Sequence, residues 1–355
     1  MKNRMTMYKK YLFGGMLFTM ANLLFTACSA IDDDLSDCGQ NFTVHYEVRL
    51  KTSLRTQVET VLRSRFNEPE VATMLEDSLK NIFREYANDV DLSFYIDEER
   101  RQYKHDEMNA GQAVYEMELP ADNYRHLALA NFGLEPTVSI TDGEKQKQHY
   151  IYQTGPDKLD KGHNIGLFTA RADMNVLGNI DQTFDVTLYM VNSASILLIR
   201  TDGVAYNDVQ VTSSDFADGF YVDDSVFTYN NNRIVNDLRV TRPPVEREVF
   251  YSITFPSCDT PELAQANYPD EVSRADGSTG ATDADRVWRK TVYVTLPDGK
   301  ITRTVINVRE PLLAGQVYII YCYMKPDGGI WSPNVEVGTS VTLDWKEGLV
   351  IEDGR

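Results

Sequence analysis

Across residues 41–50 apolar and polar side chains alternate without a break. Phe42, Val44, Tyr46, Val48 and Leu50 fall on one face; Thr43, His45, Glu47 and Arg49 fall on the other. A period of two predicts a β-strand with one buried face. The period then changes. Val58, Val61, Leu62 and Phe66, followed after Pro69 by Val71, Leu75, Leu79, Ile82, Phe83 and Tyr86, lie on helical faces. Residues 53–87 therefore read as two short helices, or one broken helix, across a sheet, with Pro69 in the first turn of the second. Alternation returns with Val90, Leu92, Phe94 and Ile96. Ala113, Tyr115, Met117 and Leu119 then lead through the turn residues PADN into the strand 124–131, which predicts a hairpin.

Residues 142–163, rich in Lys, Gln, Asp and Gly, predict loops that close a first domain. A second series of strand patterns follows: Phe184, Val186, Leu188 and Met190; residues 196–199; Val249, Tyr251, Ile253 and Phe255; and 292–296, 301–308, 317–324 and 341–345. Short strands divided by turn signals predict sandwich or barrel architecture rather than a parallel α/β sheet. The polar stretch LAQANYPDEVSRADGSTGATDAD, before Arg286, predicts a long exposed loop. A chain of 355 residues with 42% hydrophobic side chains fills about two domain cores.

The first 27 residues are of another kind. Lys2, Arg4, Lys9 and Lys10 precede a mostly apolar run from Tyr11 to Phe25 that contains no acid. This is the basic and apolar succession of an export signal. The run ends in Thr26-Ala27-Cys28, similar to the site at which bacterial lipoproteins are cut, here after Ala27, and acylated on the new N-terminal cysteine. The expectation is lipid on Cys28, weighed against a retained transmembrane helix or an unlipidated secreted chain. Loss of the four basic residues moves the net charge from −18 to −22. Such a chain repels phosphate backbones and anionic headgroups, so nucleic acid is excluded as a partner and the lipid would be the only anchor. Asp32, Asp33 and Asp34 read as a solvated spacer beside that lipid.

With Cys28 acylated, Cys38, Cys258 and Cys322 remain, an odd number. Cys322, among strand-like neighbours, reads as a buried free thiol; Cys38 and Cys258 lie in turn-like stretches where a disulfide is open. No hydrolase, phosphate-loop or zinc motif occurs, and no catalytic residue, cofactor or metal ligand is assigned. The five histidines, His45, His105, His126, His149 and His163, are scattered; His45 and His126 fall on strands and read as half-exposed surface residues. Asp276, Asp283 and Asp285 offer oxygen ligands without EF-hand spacing, and a solvated loop is the simpler reading. Trp288, Trp331 and Trp345 could form an aromatic platform for sugars, although Trp345 reads as core.

Several stretches together resemble the FimB-type fimbrial anchor lipoproteins of the Bacteroidales, which hold type V pili to the outer membrane. They are the cysteine followed by DDDLSDC at 32–38, DVDLSFYID at 89–97, LPADNYRHLALAN at 119–131, GLFTARADMNV at 166–176, LLAGQVYIIYCYM at 312–324 and VTLDW at 341–345. The resemblance implies a mainly β fold of two tandem transthyretin-like β-sandwich domains, with a helical insertion in the first that is longer than in many members. The expected organisation is a signal peptide (1–27), a lipidated acidic tether (28–40), an N-terminal sandwich (41–165) carrying the helical segment 53–87, and a C-terminal sandwich (166–355). It also implies no enzymatic activity, attachment of fimbrial subunits at the outer-membrane surface, limitation of fimbrial length, and Asp32, Asp33 and Asp34 as a surface-export signal. The fimbrial subunits are, by the same resemblance, matured by cleavage after an arginine that opens a groove for a donor strand. Function is then expected on strand edges rather than in an active site. A surface glycan-binding lipoprotein and a free-standing adhesin are the competing readings.

Overall fold

The computed structural model describes residues 41–84, 87–107, 114–154, 158–159, 162–178, 180, 182–230, 234–267, 285–333, 335–337 and 341–343. Strand β1 (Asn41–Lys51) leads into α1 (Leu54–Glu59), which widens into a π-helical turn over Thr60–Arg65, and α2 (Pro69–Ser78) starts on its proline. Then come β2 (Asp89–Ile96), β3 (Glu99–Glu107), β4 (Val114–Pro120), β5 (Asn123–Ala130), the short β6 (Val138–Ile140), β7 (Tyr150–Gln153) and β8 (Lys158–Leu159), and β9 (Phe168–Asn175) and β10 (Gln182–Met190). Seven of these form one sheet in the order β3-β2-β5-β9-β10-β1-β4. It is bent at one corner: β9 and β10 pair only through Phe168 with Met190 and Thr169 with Tyr189. Beyond that corner four strands face three across a core that holds Val44, Val48, Leu92, Phe94, Leu119, Tyr124 and Leu188.

The predicted hairpin through PADN does not form. β4 pairs with β1, and β5 pairs with β2 and β9. Leu119 and Tyr124 on either side of the turn both enter the same core, so the turn carries the chain from one layer to the opposite one.

The second half supplies β11 (Ser193–Arg200), β12 (Asp208–Ser214), β13 (Gly219–Tyr221), β14 (Val226–Thr228), β15 (Ile234–Asn236), β16 (Leu238–Arg239), β17 (Arg247–Thr254), α3 (Pro261–Asn267), β18 (Trp288–Thr295), β19 (Ile301–Val308), β20 (Val317–Met324), β21 (Ile330–Trp331), β22 (Glu336–Val337) and β23 (Val341–Leu343). A sheet β16-β17-β11-β20-β21 faces a sheet β22-β19-β18-β12-β15-β8, with β23 also on β19. Leu197, Ile199, Phe250, Ile320, Trp288, Val292 and Ile306 fill the space between them. The protein is thus mainly β and built of β-sandwiches. The stretch expected to be one long exposed loop begins instead with α3, whose Ala264 is buried; residues 268–284 lie outside the described part.

The break expected between residues 165 and 166 falls inside the first sandwich. β9 and β10 complete its sheet, and the chain changes sheets at Val191 and Asn192. The reason is pairing: β10 runs parallel to β1 along eight residue pairs, from Val44 with Gln182 to Lys51 with Tyr189. The two halves also interlock. β6 and β7 from the first join β13 and β14 from the second in a four-stranded sheet, and β8 pairs with β15.

The helices fill the joint. Leu54, Val58, Leu62, Val71 and Leu75 share a core with Ala194, Ile196 and Leu198 of β11, while Leu197 and Ile199 of that strand point the other way. Burial on both faces explains why SASILLIR is an unbroken run rather than an alternation. Gln57 seals the contact by donating to Gly315 O at 3.0 Å and accepting from Val317 N at 2.9 Å. Glu68 accepts from Arg247 Nε at 2.9 Å and Tyr321 OH at 3.2 Å. Both partners of that ion pair are largely buried, so removing one strands the other. Glu68→Ala is expected to lower unfolding free energy by roughly 2–3 kcal/mol, toward the low end for a broken buried pair. Urea denaturation with a loss under about 0.5 kcal/mol would show that the clamp contributes nothing.

Candidate functional site

The open seam of the first sandwich lies between β3 and β4. Among the described residues β4 pairs only with β1, while β3 pairs with β2 along one side and meets Lys145 on the other through a single bridge at Glu99. The bridge between them is a side chain: Lys104 Nζ donates to Glu116 O at 3.3 Å. That contact fixes the backbone direction of β4. If the carbonyl of Glu116 faces β3, so does its N–H, because both groups of a residue in an antiparallel strand point the same way. Val114, Glu116 and Glu118 therefore present backbone donors and acceptors to the seam, while Met117 and Leu119 turn inward to the core.

The other edges are blunted. In the second sandwich β16, β21, β22 and β23 add two- or three-residue strands beside β17, β20 and β19. The gap between β9 and β10 is spanned by Gln182, which accepts from Leu177 N at 2.7 Å and donates to Asn175 O at 3.3 Å. β3 protects itself with charge: ERRQYKHDE carries Arg100, Arg101, Lys104, Asp106 and Glu107 along an edge with no fully buried residue. Short caps and charges are how sheet edges avoid promiscuous pairing. Among the described residues β4 has no capping strand and its sequence carries no cation, and its ladder with β1 supplies a rigid template for a further strand.

The histidines do not assemble into a site. His45 on β1 is half exposed, 3.3 Å from Glu116, and His105 on β3 lies 3.0 Å from Asp91. The surface position expected for His126 is wrong: it is fully buried, stacked on Phe94 at 4.3 Å and bonded to Ser93 O at 3.0 Å. The sequence did hold the signal, since in NYRHLALA it shares a face with Tyr124, Ala128 and Ala130. His149 is buried beside Tyr95 OH at 3.2 Å, and His163 packs against Gln153 and Asn192 where the two halves meet. Burial pushes all three down to about 4, so they are neutral at pH 7.

Among the described residues no cluster of His, Cys, Asp and Glu could hold a metal ion. Cys258 and Cys322 are buried free thiols pushed up to about 12 by desolvation. Trp288 is fully buried and donates its indole N–H to Glu310 O at 2.9 Å, so it cannot stack on a ligand; Trp331 is exposed and stacked on Tyr323. Ala27, Cys28, Asp32, Asp33, Asp34, Cys38, Asp276, Asp283 and Trp345 lie outside the described residues. Within them no helix is long and apolar enough to cross a membrane.

No family model and no curated protein matches the chain. Among solved structures it is similar to the fimbrial anchor protein Mfa2 of Porphyromonas gingivalis, at 11% identity and TM-score 0.44, covering 84% of this chain and 97% of that one. The C-terminally truncated tip fimbrial protein Mfa3 of the same organism gives 11% identity and 0.43, covering 86% and 100%. A candidate polysaccharide-binding protein of Bacteroides thetaiotaomicron gives 10% identity and 0.48, covering 86% and 100%. No residue role is carried over from them.

Proposed function

We propose that this chain is a fimbria-associated lipoprotein of the outer-membrane surface, held by lipid on Cys28, that fastens a fimbrial subunit by accepting one of its strands along β4. The observation that carries the reading is the contrast between edges: those of the second sandwich are capped by short strands, whereas among the described residues no strand pairs with the outer edge of the seven-residue β4, which Lys104 meets across the seam. Support also comes from the ordered sequence stretches that resemble fimbrial anchors, five of which coincide with β2, β5, β9, β20 and β23. Main-chain pairing supplies affinity at about 1 kcal/mol net per hydrogen bond, and the alternate residues Glu116 and Glu118 favour a donor strand with opposed cations. The function is mechanical, and no side chain is assigned a catalytic step.

The test uses the outward backbone row. Glu118→Pro removes an N–H that faces the seam and leaves the β1 ladder intact, because edge strands accept proline at such positions. Cells carrying it are expected to shed fimbriae into the medium, while Glu118→Ala retains them and both variants stay folded. Fimbriae retained as in the wild type by Glu118→Pro would overturn the assignment.

A further inference from the structure

A lysine stands in the core of the second sandwich. Lys290 on β18 alternates with Trp288, Val292 and Val294 on the inner face, and the neighbouring β12 adds Val209 and Val211 to the same core. Lys290 is fully buried. Its Nζ lies against Oδ2 of Asp237, the residue that follows β15, and donates to Ser213 Oγ at 2.8 Å. Ser213, opposite Lys290 in the β12–β18 ladder, donates in turn to Asp237 Oδ1 at 2.6 Å. The three groups close a ring. β18 and β15 flank β12 in the sheet, so the amine and the carboxyl meet over the strand between them, and neither side chain has any solvent-exposed surface.

As an ion pair alone the arrangement is a poor source of stability, because desolvation offsets most of the attraction and apolar residues of like volume would fill the space as well. Its chemistry is another matter. Burial lowers the proton affinity of the Lys290 amine, against the opposing pull of Asp237, and in a dry site the neutral pair, amine and carboxylic acid, competes with the charged one. Those are the two reactants of an amide. Held in contact, they react as one molecule rather than two, and the Ser213 hydroxyl already points at the oxygen, Oδ1, on which negative charge develops when an amine attacks the carboxyl carbon.

We propose that Lys290 and Asp237 condense into an isopeptide bond inside the folded chain. A proton first passes from Nζ to Oδ2, which frees the nitrogen lone pair and neutralises both groups. The lone pair forms a bond to Cγ of Asp237, the Cγ–Oδ2 bond breaks, and Oδ2 leaves as water with two of the three ammonium protons. The third stays on the amide nitrogen. One positive and one negative charge cancel, nothing is oxidised or reduced, and no other reactant is needed. Ser213 stays as donor to the new amide carbonyl, so the product is a satisfied neutral group where a charged pair had been. The bond joins residues 53 positions apart. It also fastens a joint: β15 meets β12 through three residue pairs and carries β8 from the first half of the chain on its other side. A pull that peels β8 and β15 off the sheet then works against a covalent bond rather than a short ladder.

The inference is independent of the β4 reading, and peptide mass spectrometry of the wild-type protein tests it. Trypsin acting on the denatured, unlinked chain releases residues 234–239 and 291–300 as separate peptides, because it cuts after Arg233, Arg239, Lys290 and Lys300. A linked Lys290 is no longer a cleavage site. The expected product is 234–239 joined to 290–300, lighter than the two peptides together by one water, with fragmentation placing the bond between Asp237 and Lys290. Lys290→Met is expected to return 234–239 as a free peptide, and the wild-type digest decides the question whether or not that variant folds. Wild-type protein that yields 234–239 and 291–300 free throughout holds a plain ion pair, which overturns the proposal. So does a loss of water confined to 234–239, the mark of a cyclic imide at Asp237, or a bond located at any other residue.

Discussion

Acidification from pH 7 to 4 is expected to unfold the protein through three buried histidines. In the unfolded chain each binds its proton near 6.5. In the folded protein burial holds His126, His149 and His163 down to about 4, with the Arg100 charge adding to the effect on His149, while Ser93 O, Asp91 and Glu135 oppose it at the three sites respectively. Between those two values the unfolded state carries more protons than the folded state. Stability is therefore complete above about 6.5 and declines as the pH falls toward 4. A gap of two to three pH units corresponds to roughly 3 kcal/mol per histidine at 1.36 kcal/mol per unit, and three such losses rival the 5–15 kcal/mol that holds a typical domain. Asp89 works the other way, since burial raises its carboxyl and favours its protonated form in the fold. One raised carboxyl does not offset three histidines. Urea titrations at pH 7.5, 6 and 5 check this: unfolding free energy is expected to drop steadily, and His126→Phe, which cannot protonate, is expected to flatten the slope by close to one proton. A stability unchanged between pH 7.5 and 5 would sink the account.

The legible parts of the fold are those with one buried face. β1 alternates as read, with Val44 and Val48 buried and Arg49 exposed, and Pro69 starts the second helix as its missing N–H allows. β3 was missed because it buries no face and so leaves no period in ERRQYKHDE. The layer change at PADN was read as a hairpin because turn residues report that the chain reverses, not which strand it then pairs with. The domain break was misplaced for a related reason: the partner of β10 is β1, some 140 residues earlier, and a parallel pairing of that separation leaves no local mark. The sequence points to strand edges in general, but the choice of β4 depends on Lys104 reaching Glu116 O, which only the fold brings about. A strand lies inside 142–163, whose lysines, glutamines and glycines read as loop although YIYQ within it is β7. Trp288, one of three tryptophans that could have formed a platform, is core.

The first strand is expected to stay with the mature protein in cells that contain arginine-specific protease. A fimbrial subunit matured by such a cut would lose its N-terminal segment, and an anchor treated likewise would lose its lipid. Residues 28–48 contain no Arg or Lys, so the first basic residue after Cys28 is Arg49. It is not in a loop. β1 lies inside its sheet, with β10 along one side and β4 along the other, and Arg49 is paired with Thr187 in the ladder while its guanidinium holds Glu47 at 3.0 Å. Presenting that bond to a protease cleft means stripping β1 from both neighbours and drawing Val44 and Val48 out of the core, a cost on the order of 10 kcal/mol from burial and ladder hydrogen bonds together. The 13 residues from Ser29 to Asn41 would span roughly 45 Å at full extension, at about 3.4 Å each. That is room to lift the first sandwich off the headgroups without offering a site. Acylation of Cys28, as proposed, would make the attachment permanent unless the chain is cut, at about 0.8 kcal/mol per buried CH₂ over several acyl chains. Ser36→Arg places an arginine in that tether and is expected to release the whole body, with any fimbria it holds, into the medium when the protease is present and not when it is absent. Cys28→Ser should reach the medium in either case. N-terminal sequencing of the natural protein that finds a start at or beyond Lys51 would show that β1 is removed after all, and that the open edges of β10 and β4 are made by cleavage.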